Sequence, residues 1–259
     1  MSDNDSRGKE RMRAAALTDI GRVRKSNQDV VFSSTKPIGA LPNLFLVADG
    51  MGGQQAGGYC SGMLKQCLIS EVEASVGIPP IKAFGTAVET VNRKLYEEAR
   101  THAELSGMGS TLTAAFLDGD VLHVFNVGDS RLYVLEKQGT LRQITRDHSY
   151  VEELVSAGRL ERGSQEYNRN KNIITRAVGI GERVDLDAFE LSAGDLSAFL
   201  LCTDGLTNML SDEEIAQTIR ENTDPEQVVR QLVEKANQRG GRDNISAVVV
   251  FPFGEEASA

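Results

Sequence analysis

The pattern of apolar and polar positions changes period several times along the chain, and each change marks an element. Arg13 to Asp19, Val30 to Ser33 and Leu44 to Ala48 are short apolar-rich runs between polar or glycine-containing segments, and read as strands. Tyr59 to Glu73 reads as a helix with Met63, Cys67 and Ser70 or Glu71 on alternating turns. Pro79-Pro80 opens a second helix, in which Ile81, Phe84, Val88, Val91 and Leu95 keep an unbroken three-four spacing. Ser106 to Gly109 breaks it, and from Ser110 to Thr145 the period becomes two. Strands are expected at Leu112–Leu117, Val121–Asn126, Leu132–Glu136 and Leu141–Ile144, with tight turns at Asp118-Gly119 and Gln138-Gly139.

Arg146 to Gly181 is a long polar passage with one short helix, Tyr150 to Ser156. A passage of this kind within a compact domain reads as a functional lid or flap. Strands near Val184–Leu191 and at Leu196–Cys202, helices at Glu213–Arg220 and Pro225–Arg239, and a closing strand Ile245–Phe251 complete the chain. No linker or internal repeat divides it. One domain is expected over residues 12–253, between a disordered lead-in at 1–11 and a tail at 254–259. Strand runs mixed with paired helices, without strict alternation, indicate an α+β fold and not a doubly wound sheet.

Composition narrows the function. The net charge of −9 leaves no basic stripe for a nucleic-acid backbone. The polar start lacks the apolar core of a signal peptide, and no apolar run reaches the ~20 residues that span a bilayer. Three cysteines give no disulfide framework, and Cys60 and Cys67 would lie ~10 Å apart along one helix. A reducing, cytoplasmic setting is therefore expected, with no membrane partner. With three histidines and neither C-x-x-C nor H-E-x-x-H, structural or catalytic zinc is not expected. No phosphate-cradling glycine loop of the nucleotide-binding kinds is present either.

The stretch Leu44–Gly58 carries the first chemical signal. An apolar run ends at Asp49, and five glycines (50, 52, 53, 57 and 58) follow. A carboxylate at a sheet's rim beside a glycine can bring a side-chain oxygen and a backbone carbonyl to one point, as a hard cation requires. Asp204-Gly205 repeats this arrangement after Leu196–Cys202, while Asp129 and Asp243 stand at other strand ends beside Gly or Asn. Taken singly, each reads as a turn residue. Taken together, with Gln28-Asp29 at another strand end, they read as one acidic site, and oxygen-only ligands select Mg²⁺ or Mn²⁺. The cysteines lie in apolar or small-residue surroundings and read as structural.

Six motifs, in order and spacing, closely resemble the metal-dependent PP2C-type (PPM) serine/threonine protein phosphatases of bacteria. They are Arg24-Lys25-Ser26-Asn27-Gln28-Asp29, Val47-Ala48-Asp49-Gly50-Met51-Gly52-Gly53, Gly109-Ser110-Thr111, Val127-Gly128-Asp129-Ser130-Arg131, Cys202-Thr203-Asp204-Gly205-Leu206 and Gly241-Arg242-Asp243-Asn244. The resemblance implies a four-layer α-β-β-α sandwich of two antiparallel sheets flanked by helix pairs, with a metal cluster at one end. It implies that Asp49 bridges two Mn²⁺ or Mg²⁺ ions, that Gly50 gives one of them its carbonyl, and that Asp204 and Asp243 complete the other. It further implies that Asp129 helps hold a third, weaker ion, that Gln28 and Asp29 support the ions' water, and that Arg24 holds the substrate phosphate. The partners implied are phosphorylated proteins and a cognate Ser/Thr kinase, with the chain acting as a monomer. The sequence also departs from the family: Gln28 replaces a usual Glu, Gln54 stands where many members have His, and Asn208 stands where some have an acidic ligand. Tyr167-Asn168-Arg169 lacks a common His-Pro. Without an imidazole at position 54, the leaving group's proton would come from water or from His148. Two other readings remain open at this point, a pseudophosphatase that binds phosphoproteins without turnover and a hydrolase of small phosphoesters.

Overall fold

The computed structural model describes residues 12–53 and 55–253. The expected lead-in, tail and Gln54 lie outside the described residues. Among the described residues, eleven strands form two antiparallel sheets. One sheet runs β1 (Arg13–Asp19), β11 (Ile245–Phe251), β10 (Leu196–Cys202), β7 (Arg131–Glu136) and β8 (Leu141–Gln143). The other runs β2 (Asp29–Ser34), β3 (Leu44–Met51), β5 (Leu112–Asp118), β6 (Val121–Val127) and β9 (Asp187–Ser192), with the two-residue β4 (Gly109–Ser110) pairing with the end of β3.

Strands buried on both faces explain the continuous apolar runs, because alternate side chains serve different layers. In β3, Phe45 and Val47 face the other sheet, while Leu44, Leu46 and Ala48 face helices α1 (Ala56–Glu73) and α2 (Pro80–Thr101). In β10, Phe199 and Leu201 meet that inter-sheet core, and Ala198, Leu200 and Cys202 turn to the opposite helices. Phe45 and Phe199 meet edge-on between the sheets at 5.6 Å. The helices beyond β10 are α6 (Asp212–Arg220) and α7 (Pro225–Gln238), whose Ile215, Ile219, Val228 and Leu232 pack on the first sheet. The result is the expected sequence of layers, helices, sheet, sheet, helices.

Several details differ from expectation. Helix α1 starts at Ala56, and its buried face is Cys60, Leu64, Leu68 and Val72, with Met63 and Cys67 on its flank. Its phase is set by Gly57, where a Cβ would come within 2.5 Å of the Gly50 carbonyl oxygen, so the first turn must press glycine against β3. In α2 the expected stripe is buried except Ile81, which is 45 % exposed in the first turn. The strand expected near Val184–Leu191 begins at Asp187, the last residue in register with β6.

The polar passage holds two helices where one was expected, α3 (Tyr150–Ser156) and α4 (Gln165–Asn170). Ser149 and Ser164 cap them through side-chain oxygens that accept from Glu152 N and Tyr167 N. Between Cys202 and α6 lies the one-turn helix α5 (Asp204–Thr207). Among the described residues, no helix is long and apolar enough to cross a membrane.

Candidate active site

Strand register gathers the acidic residues. Asp29 opens β2 directly opposite Asp49 near the end of β3. The start of β5 faces the end of β6 (Leu112 opposite Val127), and the end of β10 faces the start of β7 (Cys202 opposite Arg131). Asp29, Asp49, Asp129, Asp204 and Asp243 therefore all lie at one edge of the sandwich. The sheets are joined there by Thr203 of one, whose hydroxyl donates to Asp29 Oδ2 of the other at 2.8 Å.

Backbone contacts fix each group. Gly50 N–H donates to the Gln28 carbonyl at 3.0 Å. A Cβ on Gly50 would lie 2.0 Å from the Gly57 carbonyl oxygen, so only glycine allows β3, β2 and α1 to meet here. Asp49 N–H donates to Thr111 Oγ1 at 2.8 Å, which ties the Gly109-Ser110-Thr111 motif to the metal-motif strand. Gly205 is similarly closed in, with its Cβ position 1.9 Å from the Asn244 carbonyl oxygen. Arg24 reaches across from the loop after β1 and donates to Asp243 Oδ2 at 2.7 Å.

The carboxyls of Asp29, Asp49, Asp129 and Asp204 are all held above the usual carboxylate range, by burial first and by neighbouring carboxylates in addition. Burial chiefly pushes Asp29 up to about 7, with the charges of Asp204 and Asp243 adding, against hydrogen bonds from Ser246 and Thr203. Asp129 rises to about 8 and Asp204 to about 6, again chiefly through burial. Asp49 is held well above the usual carboxylate range by burial and then by Asp29, Asp204, Asp129 and Asp243. Arg24 is raised, first by its hydrogen bond to Asp243.

These residues fit divalent cations. One buried oxygen on each of Asp29, Asp129 and Asp204 has no hydrogen-bond partner. The donor set is oxygen only, as Mg²⁺ and Mn²⁺ prefer. Among the described residues, no three carboxylates close on one point by themselves. The remaining donors would be backbone carbonyl and water, which hard cations accept readily.

The structure corrects one expectation and adds residues the sequence did not single out. His148 is buried; its Nδ1 accepts from Gly128 N–H at 3.1 Å and its Nε2 faces Asp187 Oδ2 at 3.0 Å. Both ring nitrogens are thus engaged, Nδ1 with the Gly128 turn and Nε2 with Asp187 of β9, and His148 is not available to a leaving group. Lys171, just after α4, donates to Asn208 Oδ1, and Asn208 Nδ2 donates to Asp204 Oδ2 at 2.9 Å, so the polar passage reaches the acidic edge. Asn244 binds three backbone groups: its Oδ1 accepts from Gln28 N–H, and its Nδ2 donates to the carbonyls of Ile20 and Ser26. Asn244 stood in a motif but carried no expected role, because its partners lie more than 200 positions away.

The protein phosphatase 2C family matches residues 22–248. The chain belongs to this family. As a protein phosphatase 2C it is 34 % identical over 247 residues to the serine/threonine phosphatase Stp of Listeria welshimeri, covering 92 % of this chain and 95 % of that one. The crystal structure of the Mycobacterium tuberculosis serine/threonine phosphatase PstP superposes with a TM-score of 0.82 at 32 % identity, over 94 % of this chain and 99 % of that one. A catalytic-domain structure of PstP holding two manganese ions gives 0.78 at 34 % identity, over 93 % and 97 %. This phosphatase is thus an α+β enzyme of the bacterial Ser/Thr protein phosphatase type, in a metal-dependent family.

Proposed function

We propose that the chain hydrolyses phosphoserine and phosphothreonine in proteins with two divalent cations, Mn²⁺ or Mg²⁺, and opposes a Ser/Thr kinase. The observation that carries this is the buried acidic edge, where mutually repelling carboxyls keep unpartnered oxygens and a guanidinium stands beside them. Asp49, the Gly50 carbonyl, Asp204 and Asp243 would hold the two ions, and Asp129 with Asp204 a third. Cations bound there would supply Lewis acidity, activating a water molecule for attack and neutralising the phosphoryl oxygens.

Asp29 has a share in proton transfer. Its Oδ2 is occupied by the hydroxyls of Thr203 and Ser246, at 2.8 and 2.7 Å, which leaves Oδ1 to orient the attacking water and accept its proton. Gln28, next to it, adds a carboxamide without charge. Arg24 would turn from Asp243 to the phosphate dianion when Asp243 serves as a ligand, and its fork suits two phosphate oxygens. Phosphoryl transfer asks mainly for position and charge neutralisation, so no covalent nucleophile is required. A pseudophosphatase is not favoured, since Asp49, Asp204 and Asp243 are all retained and the relatives are named as phosphatases.

Phosphate release from a phosphothreonine peptide, measured with Mn²⁺, with Mg²⁺ and with chelator, tests the reading. Activity is expected with either ion and none with chelator. Asp49→Ala should lower turnover by orders of magnitude, and near wild-type turnover of that variant would overturn the proposed mechanism.

A further inference from the structure

Arg24 sits in a loop of unusual charge for this protein. The segment Ile20–Asn27 carries Arg22, Arg24 and Lys25 and no acid, and the facing segment Gly240–Arg242 adds Arg242, in a chain of net charge −9. Arg22, Lys25 and Arg242 are exposed and form no ion pair among the described residues, whereas Arg24 is engaged with Asp243. Asp19, the nearest preceding acid, is turned inward and accepts from Gly21 N–H and Asn237 Nδ2.

The two segments are locked together. Arg22 N–H donates to the Gly241 carbonyl at 2.7 Å. A Cβ on Gly21 would lie 2.2 Å from the Asp243 carbonyl oxygen, and the Gly21 φ of +81° already calls for glycine. The Asn244 carboxamide holds the carbonyls of Ile20 and Ser26, so the loop is pinned near both ends and its cations stand outward on a fixed base. The rim adjoins Arg24, which the proposed function assigns to the phosphate, and its own three cations form no ion pair among the described residues.

We propose that this rim, Arg22, Lys25 and Arg242 around Arg24, binds acidic residues flanking the phosphorylated side chain of a protein substrate. The proposal rests on the phosphoprotein phosphatase reading above, and selects among phosphoproteins by the charge beside the phosphate. Fixed cations gain from such flanks without the cost of ordering a loop, and the gain must fall with salt because the groups are exposed.

Three phosphothreonine peptides, with two Glu, two Gln or two Lys on each side, provide the test, with para-nitrophenyl phosphate as a flank-free control. The Glu peptide is expected to exceed the Lys peptide roughly tenfold in kcat/KM at low salt, as three exposed ion pairs allow. The preference should shrink in 0.3 M salt on the scale of the Debye length. In the combined variant Arg22→Ala, Lys25→Ala, Arg242→Ala the preference should vanish while turnover of the aryl phosphate is kept. Lys25→Glu alone, at an exposed loop position, should shift preference toward the Lys peptide. Equal handling of all three peptides by the wild type, or an unchanged order in these variants, overturns the proposal. Fluorescence anisotropy with non-hydrolysable phosphonate versions of the same peptides reads the rim without turnover. A protein inert toward every substrate that still discriminates by flank in that assay would fail as a phosphatase while keeping the rim.

Discussion

Asn244 clamps backbone from two other segments with a single side chain. Replacing it with Ala leaves the carbonyls of Ile20 and Ser26 and the Gln28 N–H without their partner. These groups are only part-buried, so water replaces part of the loss; at a net ~0.5–1.5 kcal/mol per hydrogen bond, Asn244→Ala should lower the melting temperature by several degrees. An unchanged thermal unfolding curve would count against the clamp. The carboxyls lead to a second expectation, concerning pH. Asp29, Asp129 and Asp204 have folded-state values of about 7, 8 and 6, all above the ordinary 3.8. The fold holds protons that the unfolded chain has already released, so without cations stability falls as pH rises from about 4 toward 8. Even a tenfold change in one carboxyl's proton affinity is worth ~1.4 kcal/mol, or ~2–4 °C in a domain of this size. Melting in chelator should therefore fall between pH 5.5 and 8.5, and the rise on adding Mn²⁺ should grow over the same range. A melting temperature in chelator that climbs with pH would refute it. At this scale the acidic positions were legible, since an apolar run ending in Asp reads as a rim carboxylate. Asn244, Lys171 and the hydroxyls on Asp29 were not, because their roles depend on neighbours distant in the chain.

Elements were legible where their apolar period was long. Strands β1, β10 and β11 fall at the expected residues, as does α3. Helix α4 was missed because its six residues contain one large apolar side chain, Tyr167, too few to set a period. Its place is fixed instead by polar bonds: Glu152 of α3, nearly fully buried, accepts from Tyr167 Oη at 2.8 Å and from Arg162. Below them Arg131 grips Asp147 with two nitrogens, at 2.9 and 2.7 Å, and anchors the start of the passage to β7. Glu152→Ala should release α4 and, with it, Lys171 from Asn208. The expected result is faster proteolysis within 157–175 and a several-fold higher KM for a phosphopeptide, with the aryl phosphate little affected. Equal losses on both substrates would show that the passage serves the fold and not peptide engagement.

At the scale of the whole molecule, the four layers exist because the inner strands of the two sheets, such as β3 and β10, spend alternate residues on two different cores. The phase of α1 was less legible, since it is turned by a glycine contact with β3 that no periodicity encodes. The topology also joins distant parts of the chain. β1 pairs with β11 along its whole length, Arg13 opposite Phe251 through Asp19 opposite Ile245. Arg24 and Asp29 follow the first strand, while Asp243 and Asn244 precede the last. During synthesis, a chain emerged from the ribosome only through β10 would carry Arg24 and Asp29 without the residues that complete their surroundings. Catalysis should thus be withheld from nascent and prematurely terminated products, and a ribosome-stalled chain lacking Asp243 onward should release no phosphate until the final strand is translated.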